Sequence, residues 1–140
     1  MYFFFGNEYF NDLYVSFLGL LVITTEQQYF YDVYTESTVN FELNVTSNLP
    51  VLWVSWEKSV VSYFYNASTV NITVDRIFGG TIDDPSLTIS NISLADTGYY
   101  RFTATNAGGS RSVVFYISVN LRKWDWFPFL RKACTFEYFS

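Results

Sequence analysis

At 140 residues the chain has room for one domain of about 100 residues plus extensions. Its composition is 50% hydrophobic and 15% charged, which excludes a disordered chain, and its net charge of −5 argues against nucleic-acid binding, which requires a basic stripe. The absence of histidine excludes His-based acid–base and nucleophilic catalysis and the commonest zinc ligand.

The first 25 residues form an aromatic and apolar leader. The uncharged run 13–25 is too short for a transmembrane helix, which needs about 20 residues. Glu8 and Asp12 precede it, with no Lys or Arg, and this is the wrong charge for the start of a signal peptide. A signal, an anchor and a buried first strand therefore remain alternatives for residues 1–25.

From Tyr29 onward, runs of β-forming residues alternate with clusters of turn-forming residues. Apolar residues spaced by two lie on one face of a strand, so each run predicts a strand with a buried face. The apolar positions are Val39, Phe41, Leu43 and Val45; Leu52, Val54 and Trp56; Leu87 and Ile89; Tyr100, Phe102 and Ala104; and Val113, Phe115, Ile117 and Val119. No long helical period occurs, and we predict an all-β antiparallel sandwich.

The segment from Leu87 to Phe102 carries the most specific motif. It resembles the region around strands E and F of an immunoglobulin domain, L-x-I followed by D-x-G-x-Y-x-C. Asp96, Gly98 and Tyr100 match that motif, and Phe102 stands at the cysteine position. The continuation Ala104-x-Asn106-x-x-Gly109 resembles the I-set subfamily in particular.

Upstream residues extend the resemblance to about residues 33–119. Glu36 stands where the family has glycine, and Leu43 stands at the first cysteine of the bridge between the sheets. Trp56 follows Leu43 by 13 residues, and Arg76 precedes Asp96 by 20 residues. The resemblance implies an I-set-like Greek-key domain over residues 26–120 that lacks the disulfide between its sheets. Cys134 is the chain's one cysteine, so the disulfide cannot form, and this leaves the compartment open.

The resemblance also implies structural roles for the matched residues. Tyr100 would form a tyrosine corner, in which a buried ring bonds nearby backbone through its hydroxyl, and Trp56 would pack against Leu43 and Phe102 between the sheets. Arg76 and Asp96 would form an ion pair.

The sheet containing strands C, F and G presents a candidate binding face. Trp53, Tyr99, Arg101 and Tyr116 are predicted to point outward from it, and these residue types are enriched at interaction hot spots. The alternative is that aromatic residues favour strands anyway, or that the terminal extensions cover this face.

The C-terminal extension, residues 121–140, contains four of the eight basic residues around an aromatic centre. Residues 121–132 have the composition of a membrane-interface segment. An extension that folds back on the domain, or the start of a neighbouring unit, is the alternative that we prefer.

Four sequons begin at Asn44, Asn66, Asn71 and Asn91 and are candidate glycosylation sites. They favour an extracellular or a cell- or virion-surface location over an intracellular one.

The sequence predicts a non-catalytic module for protein binding, adhesion or recognition, with a protein partner or a second copy on the CFG face. It predicts no cofactor and no metal site. A structural spacer in a filament or a surface assembly is the first alternative. An enzyme is the second, and it lacks a visible activated nucleophile or acid–base pair.

Overall fold

A computed structural model describes residues 19–71 and 73–123. Within these residues, alternating polar and apolar positions build β-strands, and turn-forming residues separate them. The strands are β1 (Leu21–Thr24), β2 (Phe30–Tyr34), β3 (Val39–Phe41), β4 (Asn44–Ser47), β5 (Trp53–Ser59), β6 (Ser68–Thr69), β7 (Ile77–Gly79), β8 (Leu87–Ile89), β9 (Gly98–Asn106) and β10 (Gly109–Asn120). One 3₁₀ turn, Leu94–Asp96, precedes β9. The predicted all-β class is confirmed.

The strands form two layers. The larger sheet has the order β2-β10-β9-β5-β6, in which β2 runs parallel to β10 and every other pair is antiparallel. The other layer contains the three-stranded sheet β3-β8-β7 and the pair β1-β4. Only Glu42 and Leu43 separate β3 from β4. At this interruption the Leu43 N–H donates a hydrogen bond to the Ser86 hydroxyl at 3.0 Å.

Side chains of both layers meet in one hydrophobic core. Along β9, buried and half-buried residues alternate over all nine positions, as expected for a strand with one face against the core. The inward positions of β3 and β8 are likewise buried, as are Phe115, Ile117 and Val119 in the second half of β10. One predicted core residue is wrong: Leu52 is 60% exposed, because it lies just before β5, at the end of the sandwich.

Aromatic rings fill the centre of the core. Phe41 has its ring centroid 5.4 Å from Trp56, 5.4 Å from Tyr100 and 4.9 Å from Phe115. Trp56 in turn lies 5.2 Å from Phe102. Because these rings come from strands of both layers, their contacts hold the two sheets together.

The two terminal segments lie mostly outside the described residues. Strand β1 falls within the leader, and Leu21 is buried in the core. The signal and anchor hypotheses concern residues 1–25, of which 1–18 lie outside the described residues. The membrane-contact hypothesis concerns residues 121–132, of which only 121–123 are described.

Candidate binding face

Leu43, Trp56, Tyr100 and Phe102, the four residues expected to meet between the two sheets, are all buried. Leu43 is 9% exposed, and Trp56, Tyr100 and Phe102 are 2% or less. The Trp56 indole N–H donates to the Pro85 carbonyl oxygen at 2.9 Å, which satisfies the one polar atom of that side chain.

Tyr100 has the geometry of a tyrosine corner. Its hydroxyl donates to the Asp96 carbonyl oxygen at 2.9 Å, and burial raises the pKa of the hydroxyl, so the group stays a donor. Gly98, two residues earlier, has a φ of 146°. A Cβ at this position would lie 2.7 Å from the Ser59 carbonyl oxygen. Only glycine lets β9 begin so close to β5.

Arg76 and Asp96 meet beneath the 3₁₀ turn. The guanidinium Nη1 and Nη2 lie 3.0 and 2.8 Å from the two Asp96 carboxylate oxygens. The Ser93 N–H and hydroxyl also donate to this carboxylate, at 2.8 and 3.0 Å. Burial alone would raise the pKa of Asp96, but the bonds from Arg76 and Ser93 outweigh it and lower the pKa.

The outer face of the larger sheet carries an aromatic row. The strand register places Tyr116 beside Tyr99 on one side and Phe30 on the other. The Tyr116 ring centroid is 4.6 Å from that of Tyr99 and 5.6 Å from that of Phe30. Phe30 is 53% exposed, whereas the two tyrosines shield each other and are half-buried. Sequence reasoning missed Phe30, because β2 has no apolar alternation that predicts its parallel pairing with β10.

The neighbouring row contains an ion pair, so its net charge is zero. Arg101 lies opposite Glu57 on β5. Its Nε and Nη2 lie 2.9 and 2.6 Å from one Glu57 oxygen. The Phe64 ring stacks on the guanidinium, with 4.4 Å between Cζ and the ring centroid. Arg101 is therefore held on the sheet by two independent contacts.

Hydroxyl groups occupy the remaining rows. Thr103 and Ser112 lie 2.8 Å apart, and Thr105 and Ser110 lie 2.6 Å apart, oxygen to oxygen. Trp53 stands at the end of the face, opposite Thr105, and is 47% exposed. The four predicted residues thus lie on one sheet face. Tyr99 and Tyr116 touch, and Trp53 lies apart from them beyond the hydroxyl rows.

The structure also displays a surface that sequence reasoning missed. The loop 60–67, between β5 and β6, exposes Tyr63 at 87% and Tyr65 at 80%. The signal was present in the sequence, since residues 59–74 carry no charge and cluster aromatic residues around position 64. No strand periodicity marks such a loop.

All four sequon asparagines are exposed. Asn66 and Asn91 have positive φ values of 60° and 52°, a conformation that asparagine tolerates. The Asn71 amide oxygen accepts bonds from the Thr73 N–H and hydroxyl at 3.0 and 2.7 Å.

Within residues 19–71 and 73–123, no group of three potential metal-ligating His, Cys, Asp or Glu residues occurs. In the same part of the chain, no helix has the length and apolar character needed to cross a membrane.

Two sheets, a tyrosine corner and a tryptophan between the layers define an immunoglobulin-like β-sandwich. The model of the Immunoglobulin I-set domain family matches residues 23–119, so the chain belongs to that family. The bridging cysteines are replaced by Leu43 and Phe102.

Solved structures share this fold. The tandem Ig repeats of Dlar are 22% identical, with a TM-score of 0.60, and the match covers 75% of this chain and 50% of that one. The N-terminal four Ig domains of Dscam1 isoform 6.9 are 20% identical, with a TM-score of 0.58 over 74% of this chain and 26% of that one. The N-terminal eight Ig domains of Down Syndrome Cell Adhesion Molecule isoform 1.30.30 are 19% identical, with a TM-score of 0.53 over 70% of this chain and 14% of that one.

The chain therefore spans half or less of these structures' own length. No curated protein sequence matches it. It is an immunoglobulin-superfamily domain similar in fold to domains of cell-adhesion molecules.

Proposed function

We propose that the chain is a non-catalytic recognition module that binds a protein partner through the outer face of the larger sheet. The observation that carries the proposal is the aromatic row of Phe30, Tyr116 and Tyr99 beside the anchored Arg101. Tyrosine, tryptophan and arginine supply most binding hot spots. The domain proposed to act in this way is residues 26–120, flanked by segments 1–25 and 121–140.

The rigidity of the face supports this role. Arg101 is fixed by Glu57 and Phe64, and the Tyr99 and Tyr116 rings pack against each other in a tilted arrangement. Side chains already ordered before binding lose less conformational entropy when a partner docks, typically about 0.5–1.5 kcal/mol less for each one. The ordered side chains of this face therefore support a binding role over the alternative that its aromatic residues only stabilise the strands.

The family supports a non-catalytic role, since immunoglobulin-like domains typically bind rather than catalyse. One solved structure of similar fold is that of Down Syndrome Cell Adhesion Molecule. By that likeness we propose adhesion or recognition for this chain, with the partner either another protein or a second copy.

Bead adhesion tests the proposal. Beads coated with the full chain carrying Tyr63→Ser, which removes an exposed ring of the loop 60–67, are expected to aggregate with each other or to adhere to cells. The double variant Tyr99→Ser/Tyr116→Ser in the same background is expected to abolish both. The matched control is Phe78→Ser, which removes a ring that is 56% exposed on the opposite layer. Circular dichroism would verify that each variant is folded. Adhesion that survives the double variant would exclude this face.

A structural spacer is the second candidate. The paired hydroxyls of Thr103 with Ser112 and of Thr105 with Ser110 make the middle of the face polar and self-satisfied. A face without adhesive activity, on a chain that still folds, would favour the spacer.

A further inference from the structure

The loop 60–67 holds the most exposed large hydrophobic side chains of the described residues. Tyr63 is 87% exposed, Val60 81% and Tyr65 80%, whereas the next, Leu52, is 60%. Exposed apolar residues scattered singly need no explanation, but a contiguous group of them marks an interaction site.

The loop is held in one shape by its middle residue. The Phe64 N–H bonds to the Val61 carbonyl and the Ala67 N–H to the Phe64 carbonyl, both at 3.4 Å, so two turns share Phe64. Phe64 adopts a φ of 52°, an uncommon conformation for a bulky residue. Its ring is anchored on the Arg101 guanidinium. This anchor leaves Tyr63 and Tyr65 displayed on either side of it.

An open cavity lies next to the loop. It has a volume of about 500 Å³ and is lined by Val60, Val61, Tyr65, Asn66 and Ser68, together with residues at the end of β5. Tyr63 does not line it. The same patch thus presents a protruding aromatic ring and an adjacent cavity that Val60, Val61 and Tyr65 line together with polar side chains. A two-fold symmetric interface requires this kind of self-complementarity, because one patch serves on both subunits.

Charge also favours a second copy here. The chain carries −5, so two copies repel each other over most of their surfaces. The run 59–74 carries no charge, and Arg101 beside it is neutralised by Glu57. Lys58 borders the cavity, but its ammonium donates to the Ala95 carbonyl oxygen and lies over the Tyr100 ring. Lys58 keeps its positive charge but is turned toward its own chain, so the patch presents none of the negative charge that makes two copies repel elsewhere.

We propose that two copies of the chain associate through this patch, with Tyr63 of each copy entering the cavity of the other. The inference rests on the proposed binding role but uses a different surface from the sheet face. Variants of Tyr63 and variants of Tyr99 and Tyr116 therefore test separate claims.

Analytical ultracentrifugation of the full chain, made without glycans, tests the proposal. We expect a monomer–dimer equilibrium with a Kd between about 1 µM and 1 mM. Tyr63→Ser removes the inserted ring, and Ser68→Phe fills the cavity while keeping Tyr63. Each variant is expected to weaken the dimer by about thirty-fold or more, the effect of losing a hot spot. The control Phe78→Ser should leave the Kd unchanged.

Mixing the two variants gives the sharpest readout. A Ser68→Phe copy keeps the ring and a Tyr63→Ser copy keeps the cavity, so a mixed pair retains one of the two insertions. The mixture should therefore form dimers at concentrations where neither variant does alone. A wild-type chain that stays monomeric up to about 1 mM would overturn the proposal. The loop would then be a candidate binding site for a different protein. A dimer that survives both variants would overturn it as well.

Discussion

Replacing Asp96 with Asn is expected to destabilise the fold by about 2–3 kcal/mol at neutral pH. The carboxylate accepts four hydrogen bonds, two from Arg76 and two from Ser93. The amide oxygen of Asn can still accept from Ser93, but the charge that pairs with Arg76 is lost. Because the Arg76 side chain is 33% exposed, water compensates for part of that loss, which keeps the cost below that of a fully buried pair.

The pH dependence of the Asp96→Asn effect provides the decisive test. The fold lowers the pKa of Asp96, so its stabilisation is present above the unfolded-chain value of about 3.9 and disappears as pH falls through the lower folded value. The free energy of unfolding, measured in urea, should therefore be higher for the wild type than for the variant at pH 7. This difference should narrow below about pH 4. A difference in unfolding free energy that stays constant down to pH 2 would refute the assignment of stability to this ion pair.

Three further outcomes are expected. Tyr100→Phe should cost about 1–3 kcal/mol in thermal or urea unfolding, because the buried Asp96 carbonyl loses its donor; Tyr63→Phe, on the surface, should cost almost nothing. Glu36 has a φ of 67°, so Glu36→Gly should stabilise the fold by about 0.5–1 kcal/mol; Asn91→Gly should gain less, since asparagine tolerates this conformation, and an equal gain would contradict the strain argument. Glycosylation of Asn66, which lines the loop cavity, should abolish the proposed dimer in ultracentrifugation; a dimer with intact glycan would contradict that placement.

The core could be predicted from sequence because its signals are local and periodic. The spacing of Tyr100 and Phe102 assigns both side chains to one face of a strand, and both are buried in the structure. The same rule failed at Leu52, because periodicity gives the direction of a side chain but not whether a second layer extends far enough to cover it.

The candidate binding face was less accessible to sequence reasoning. Alternation placed Tyr99 and Tyr116 on one face, and their contact depends on the register between β9 and β10. The position of Phe30 depends on a parallel pairing between residues 86 positions apart in the chain, which no local pattern encodes. The loop around Phe64 is set by its contact with Arg101, again a long-range interaction.

Family members with a disulfide join the two sheets covalently, and removing such a bridge typically costs about 2–5 kcal/mol. In this chain Phe41 contacts the rings of Trp56, Tyr100 and Phe115 in the facing layer, and aromatic pairs of this kind contribute about 0.5–1.5 kcal/mol each beyond the area they bury. Several such pairs together match the contribution of the missing bridge. Since the rings replace a covalent bond that needs an oxidising compartment, the stability of this sandwich does not depend on the redox state of its surroundings.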